Sequence, residues 1–324
     1  MLLVELEING VTNYLSQEGI ALTHYWDSHI LSFDAPQYNM DKKYGGYARP
    51  SFGSISLTQE LFKNDWVPPT ASQVAIRYTS TDEESATTLF SGTAYLKSIN
   101  REGIRYDLYG GVIGSGGSIA SGTSFENVAL GYVFSQGATT LGLSLDTSLA
   151  KSNSTDIEYT MQGDQEITTF LSDLAASFNH MYYVKQDTIY LVDMFVDNGT
   201  TTITEFSYFP STYEFNPPST IVSGVSRSGI TYPYGNEVSV KSFVRSEVSM
   251  SITLNDIWET WHKPIFNLKI PFINPLPVTP GMRIQWIDNA QQNSVSGYIR
   301  VRNVRYDFDN EEVTLTGEGE IESG

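Results

Sequence analysis

Apolar and polar residues alternate along three stretches of the first third of the chain: Gly53-Ser54-Ile55-Ser56-Leu57, Gln73-Val74-Ala75-Ile76-Arg77-Tyr78 and Gly103-Ile104-Arg105-Tyr106-Asp107-Leu108. A period of two marks strands with one buried and one wet face, which belong in antiparallel sheets. The opening Met1-Leu2-Leu3-Val4-Glu5-Leu6-Glu7 reads as another strand. Its acids and the lack of a preceding basic segment fit a secretion signal badly. Residues 110–122 are then rich in Gly and Ser, the composition of a loop or linker.

A helical period follows. Thr123 and Glu126 form a capping box, and Phe125, Val128, Ala129, Tyr132 and Val133 predict a helix that stops at Gln136-Gly137. For a second helix Asp164 is placed to cap, Glu166 sits in the first turn, and Ile167, Phe170, Leu171, Leu174, Ala175 and Phe178 hold one face up to Asn179. Residues 181–184 and 188–192 form a strand pair across a short turn. Alternation returns after Pro217-Pro218, in 237–240, 282–286, 297–301 and 312–316. The fold class expected is mainly β with an α+β insertion: two similar antiparallel β-barrels, residues 1–110 and 217–324, flanking a small helix-containing domain at 111–216.

The two barrels share an ordered, weak repeat. Ser91-Gly92-Thr93-Ala94-Tyr95-Leu96-Lys97-Ser98-Ile99 parallels Ser296-Gly297-Tyr298-Ile299-Arg300-Val301-Arg302-Asn303-Val304. Each has an alternating strand before it, 74–78 or 282–286, and a hairpin return after it, 103–108 or 312–317. Further upstream, residues 54–62 face 250–258 as a fourth match. Any two antiparallel domains share alternation and Ser-Gly turns, but colinearity of four segments favours a duplication.

Composition narrows the function. Across 324 residues, aromatics make up 13% and charged residues only 17%, consistent with β structure. The formal charge is −18, and it divides as −5, −10 and −3 over the three segments, so the middle third is the most acidic. A chain so poor in clustered Lys and Arg is unsuited to gripping phosphate backbones or anionic membranes. No run of apolar residues is long enough for a transmembrane helix, so no membrane insertion is expected. Cys is absent, which excludes disulfides, Cys-based zinc sites and thiol nucleophiles.

Candidate chemistry is sparse. His24, His29, His180 and His262 form no HExxH or HxH pair. The 110–122 stretch lacks the Lys-Ser/Thr of a P-loop, and no Gly-x-Ser-x-Gly elbow occurs. Asp82-Glu83-Glu84 and Asp309-Asn310-Glu311-Glu312 do not follow calcium-loop spacing and read as charged hairpin tips. A glycosidase pair needs only spatial proximity, and nothing in the sequence points to one. The aromatic run from Phe206 through Tyr208, Phe209 and Tyr213 to Phe215 has three readings: a sugar-stacking platform, a subunit contact, or a packed connection, the last being favoured. The expectation is therefore no catalytic, cofactor or metal residues, and no enzyme.

Three stretches together resemble the tail hub (baseplate hub) proteins of long-tailed bacteriophages and the hub portion of related contractile injection spikes. They are Leu89-Phe90-Ser91-Gly92-Thr93-Ala94-Tyr95-Leu96 leading to Tyr106-Asp107-Leu108-Tyr109-Gly110; residues 167–175 running into Tyr182-Tyr183-Val184; and Thr279-Pro280-Gly281-Met282-Arg283-Ile284 with residues 296–301. They look like that family's first barrel, inserted domain and second barrel, over nearly the whole chain. The resemblance implies a structural virion protein at the tail tip, made in the host cytoplasm. It implies a homotrimer whose six barrels join a sixfold tube to a threefold spike or fibre. A distal tail or tail tube protein would lie on one side and a spike, fibre or tape-measure protein on the other, with DNA passing through unbound. Two alternatives stand beside it: a hexameric distal tail protein with one barrel per chain, and a carbohydrate-binding module or glycan hydrolase using the 206–215 aromatics.

Overall fold

The alternating segments of the first third form one curled sheet. In chain order the strands are β1 (Leu2–Ile8), β2 (Val11–Ser16), β3 (Ile20–Ala21), β4 (Tyr25–Ser28), β5 (Ile30–Asp34), β6 (Tyr38–Met40), β7 (Gly46–Pro50), β8 (Gly53–Leu57), β9 (Ala71–Tyr78), β10 (Thr87–Asn100) and β11 (Gly103–Tyr109). All but β6 and β7 lie in a nine-stranded sheet ordered β3-β4-β2-β1-β9-β10-β11-β8-β5. The structure, a computed structural model, describes residues 2–8, 11–16, 20–21, 25–28, 30–34, 37–42, 44–50, 53–58, 68–78, 86–109, 117–150, 157–185, 187–195, 200–204, 213–214, 218–222, 227–228, 236–243, 247–271, 278–288, 295–307, 310 and 312–322.

The middle of the chain contributes β12 (Ser118–Ile119), β13 (Ser124–Val128), α1 (Leu130–Leu141), β14 (Ser144–Leu149), β15 (Ile157–Thr160), β16 (Gln165–Glu166), α2 (Ile167–Ser177), β17 (His180–Lys185) and β18 (Thr188–Asp193). The last third adds β19 (Thr200–Ile203), β20 (Tyr213–Glu214), β21 (Pro218–Val222), β22 (Arg227–Ser228), β23 (Asn236–Ser239), α3 (Glu247–Trp261), β24 (Ile265–Pro271), β25 (Arg283–Asp288), β26 (Val295–Asp307) and β27 (Glu312–Glu322). A second, eleven-stranded sheet runs β14-β18-β17-β7-β6-β26-β27-β24-β20, with β25 on β26 and β19 on β25.

Both sheets curl, but neither closes among the described residues: β3 and β5 end the first without pairing to each other. The two closed barrels expected are thus two half-barrels, with a few short helices between. Closure demands that the last strand return to the first in register. The second sheet instead continues through β6 and β7 into the strands of the middle third.

The repeat is visible pair by pair in the hydrogen-bond register. In β10/β11, Thr93 faces Tyr109, Leu96 faces Tyr106, Ser98 faces Arg105 and Ile99 faces Ile104. In β26/β27, Tyr298 faces Glu320, Val301 faces Gly317, Asn303 faces Thr316 and Val304 faces Leu315. Both hairpins carry their bulge at the same aligned place, between Leu96 and Ser98 and between Val301 and Asn303. A bulge re-aims a strand and is a built feature rather than noise, so a matched pair argues for duplication beyond shared alternation. The flanking strands match too: Leu57 faces Ile104 as Leu268 faces Leu315, and Val74 faces Gly92 as Trp286 faces Gly297.

Local pairing overturns three sequence expectations. Residues 250–258 are not the counterpart of 54–62, because they lie in α3, and the strand equivalent to β8 is β24. The alternating Met250, Ile252 and Leu254 mimic a strand, yet Leu254, Ile257, Trp258 and Trp261 are buried at helical spacing while Ile252 is 61% exposed. The first helix also begins later than expected. Residues 124–128 pair with β15 instead, and Glu126 accepts a hydrogen bond from the Ser124 hydroxyl (3.3 Å) rather than closing a capping box. Asn127, at φ 53, breaks the chain direction before α1. Gly137 lies inside α1, where a Cβ would stand 2.8 Å from the Leu171 side chain, and the true stop is Gly142 in the left-handed region. The second helix lies where its pattern put it, but Asp164 accepts from the Ser121 N–H (2.7 Å) instead of capping it.

Among the described residues three apolar cores result, one under each of the two large sheets and one around α1, α2, α3, β17 and β18. Phe33 packs against both sheet cores, and Tyr38 joins the second-sheet core to the middle one.

Candidate assembly surface

With no catalytic cluster expected, the informative places are those where the repeated units meet the rest of the chain. The first is the excursion of β6 and β7. Tyr38 pairs with Val304, and the Met40 N–H donates to Asn303 Oδ1 (3.2 Å), so β6 covers the outer edge of β26 next to its bulge. Beyond β6 the chain turns through Gly45 (φ +74) and Gly46 (φ +90). A Cβ at Gly45 would lie 2.4 Å from the His180 carbonyl oxygen, so only glycine permits this approach. Asp41 accepts from the Tyr47 N–H (2.8 Å) and the Ser172 hydroxyl (2.8 Å), and Tyr47 stacks on Tyr182 with centroids 4.6 Å apart. Burial, with Tyr47 and Asp41 adding to it, holds the Tyr182 phenol well above its ordinary pKa, and its O–H donates to the Thr168 carbonyl (2.9 Å).

The second is the junction of α2 and α3. Asn179 ends α2 at φ 56 and is buried. Its Nδ2 donates to the Asp256 carbonyl (3.2 Å) and Thr260 Oγ1 (2.7 Å), while its Oδ1 accepts from Trp261 Nε1 (2.9 Å). One amide thereby bonds three groups of α3.

The third is a cleft of about 280 Å³ at the meeting of β26, β27 and the end of α3. Among its lining residues is Glu318, whose side chain is only 4% exposed and whose Oε1 accepts from Arg302 Nη1 at 3.1 Å. Desolvation outweighs the attraction of Arg302 and pushes the Glu318 carboxyl up to about 7. Around it Lys263 pairs with Glu320 (3.3 Å), and the Arg283 guanidinium sits 3.8 Å from the Tyr298 ring centroid.

A pH dependence follows. The folded pKa of Glu318 stands above its reference of 4.5, so the folded state holds the proton more tightly. The associated stability is complete below about 4.5 and is lost as pH rises through about 7, a loss of about 3 kcal/mol. Glu318→Gln is expected to remove that share of the decline, read from urea unfolding at pH 5 and pH 8. Equal pH slopes in the two proteins would sink the assignment.

The remaining singled-out residues have structural roles or lie outside the described residues. His180 is buried, with Nδ1 2.6 Å from the Phe178 carbonyl oxygen; His262 stacks on Trp258, with centroids 4.2 Å apart. His24, His29, residues 82–84 and 110–116, and most of the 206–218 aromatic run lie outside the described residues. Asn310 donates through its N–H and Nδ2 to Asp307 (3.1 and 2.9 Å), organising the second hairpin tip. Among the described residues, no group of three or more His, Asp or Glu is placed to hold a metal, and no helix is long and apolar enough to cross a membrane.

A tail protein from Neisseria meningitidis aligns over 98% of this chain and 96% of its own, with TM-score 0.58 and 9% identity. The fold is that of phage tail proteins. The 43 kDa tail protein of prophage MuSo2 from Shewanella oneidensis matches over 98% and 95% (TM-score 0.53, 6% identity). The prophage tail protein gp18 from Listeria monocytogenes matches over 97% and 94% (TM-score 0.52, 9% identity). No family model and no curated protein matches the sequence. The tail-protein fold is thus shared along the full chain while almost no side chains are. This agrees with a resemblance carried by strand order and turns.

Proposed function

We propose that this chain is a structural protein of the phage tail tip, a hub that assembles as a homotrimeric ring around the DNA channel. The observation that carries the reading is the residue-by-residue duplication of the two four-stranded units, including the aligned bulges. Three copies of a chain with two equivalent units make a ring of six similar units, which can meet sixfold and threefold neighbours at once. The division into 1–110, 111–216 and 217–324 belongs to this reading, with Tyr38–Pro50 lent by the first unit to the other two. A distal tail or tube protein would cover one face, and a spike, fibre or tape-measure protein the other.

The acidity of the chain supports a channel that lets DNA slide without holding it. The paired charges of the cleft and the structural roles of His180 and His262 support scaffolding over catalysis. In the assembled ring the half-barrel edges would be covered by neighbours, which meets the need of any exposed sheet edge. Light scattering on the purified chain is expected to give the mass of three copies, and electron microscopy a ring with six lobes. A hexameric mass would favour the distal tail arrangement, and a monomer at tens of micromolar would overturn the ring.

A further inference from the structure

The cleft beside β26, β27 and the end of α3 has a wall whose open valences are of one kind. Register sets one side of it. Arg283 faces Arg300 across β25/β26 and Arg300 faces Glu318 across β26/β27, while Tyr298 faces Glu320 one step along. Facing residues, and residues two apart on one strand, share a side of a sheet, so the Glu318 side chain stands on the side that lines the cleft. From across the cleft, α3 and the turn after it supply Glu259 and Lys263. The cations of the wall are engaged. Lys263 pairs with Glu320 (3.3 Å), Arg300 Nη1 donates to the Gly281 carbonyl (3.1 Å), and the Arg283 guanidinium lies over the Tyr298 ring. Two carboxylates have acceptors to spare. Glu318 gives Oε1 to Arg302, but its Oε2 is buried with no hydrogen-bond partner. Glu259, half-buried, has no hydrogen bond or ion pair among the described residues.

We propose that this cleft is a socket for a basic side chain, arginine before lysine, presented by a partner protein. What the wall lacks is donors, and a guanidinium brings five N–H groups in a fork that matches carboxylate oxygens. A metal ion does not serve instead, because among the described residues no group of three or more His, Asp or Glu is placed to hold one. The volume of about 280 Å³ suits a single long side chain better than a cofactor. Phe195, half exposed in the same wall, offers an apolar surface on which the aliphatic stem can lie. Charge selects the source. A chain of net charge −18 draws in a basic neighbour and repels a further copy of itself. The socket lies within one chain, so it does not depend on the ring reading.

The probe is N-acetylargininamide, titrated by calorimetry while the Met194 methyl resonance reports the place, since Met194 lines the cleft. Binding is expected to saturate, and to weaken by about tenfold or more with the neutral N-acetylcitrullinamide, with Glu318→Gln and with Glu259→Gln. Glu259 has no partner to lose, so its variant reads the socket even if Glu318→Gln disturbs the fold. Glu102→Gln, exposed on the first sheet, is expected to bind as the unmodified chain does. The affinity also carries a pH signature. Glu318 is faced by Arg300 and Arg302 on β26, Arg283 on β25, Glu320 on its own strand, and Glu259 and Lys263 from α3 and the turn after it. Burial pushes its carboxyl up to about 7, and it must release its proton to pair with a guanidinium. Affinity should therefore rise about tenfold from pH 6 to pH 8, and Glu318→Gln should abolish the rise. Equal binding of the two probes, a Met194 methyl that does not move, or inorganic phosphate moving it in place of the arginine probe overturns the socket. A Met194 methyl that shifts when the unmodified chain is diluted to monomer, with the probe binding only the dilute form, puts another copy of the chain in the cleft and overturns the separate partner.

Discussion

Asn179→Ala is expected to lower the unfolding free energy by about 3–4 kcal/mol. The substitution removes the three side-chain hydrogen bonds that Asn179 makes to α3 and takes away the acceptor of Trp261 Nε1. It also places alanine at φ 56, a region Asn tolerates better than other residues with a Cβ. Asn179→Gly separates the two causes. Glycine relieves the backbone but restores no hydrogen bond, so it should recover only about 1 kcal/mol. Urea unfolding followed by tryptophan fluorescence reads both, because Trp258 and Trp261 are buried beside this contact. A loss below about 1 kcal/mol for alanine would mean that α3 is held by its apolar face alone.

The second large effect lies at the repeated Ser-Gly. A Cβ at Gly297 would stand 2.3 Å from the Glu320 carbonyl oxygen and 2.6 Å from the Trp286 ring. At Gly92 the same atom would stand 2.2 Å from the Tyr109 carbonyl oxygen and 2.7 Å from the Phe90 ring. The two glycines thus occupy the same crowded position, under an aromatic ring and against the facing strand. Gly92→Ala and Gly297→Ala are each expected to cost about 2–3 kcal/mol, because the carbonyl is main chain and cannot swing away. The sites lie in different sheets, so the double variant should show the sum. Ser91→Ala and Ser296→Ala, one residue earlier, serve as controls. Unfolding midpoints no lower than those of the serine variants would remove the steric account of this motif.

Much of the fold was legible because strands with one wet face must alternate, and β8, β9 and β11 each stand where alternation placed them. The helix pattern at 167–178 was legible for the same reason, since a buried stripe leaves its period in the chain. The hairpin repeat was legible through its Ser-Gly and its apolar spacing, while its flanking strands were only partly so. Segment 250–258 failed because Met250, Ile252 and Leu254 fit a period of two until Ile257 and Trp258 are set against the middle core. The capping box at 123–126 failed because pairing with β15 competes for the same residues, and the helix can start only after Asn127 has turned the chain.

The candidate surface was less legible. Glu318 sits between two glycines at a place where alternation would aim it outward, and nothing local marks it as buried. It is buried because α3 closes over that face, with Trp261 5.9 Å from the Arg302 guanidinium. Ile99 and Val304 are aligned apolar residues in the sequence, yet one is half exposed and the other fully covered.

By itself, then, the sequence determined the strand character, the second helix, the acidity, the lack of cysteine chemistry and the duplicated hairpin. Each of these depends on the spacing of side chains along one segment or on simple counts. The tertiary structure alone decided that the sheets do not close among the described residues, that 247–261 is a helix, that Glu318 is desolvated, and that Val304 is covered while its counterpart Ile99 is half exposed. Those outcomes depend on which distant segment arrives at a given face, and the short excursion Tyr38–Pro50 reaches only one of the two equivalent edges.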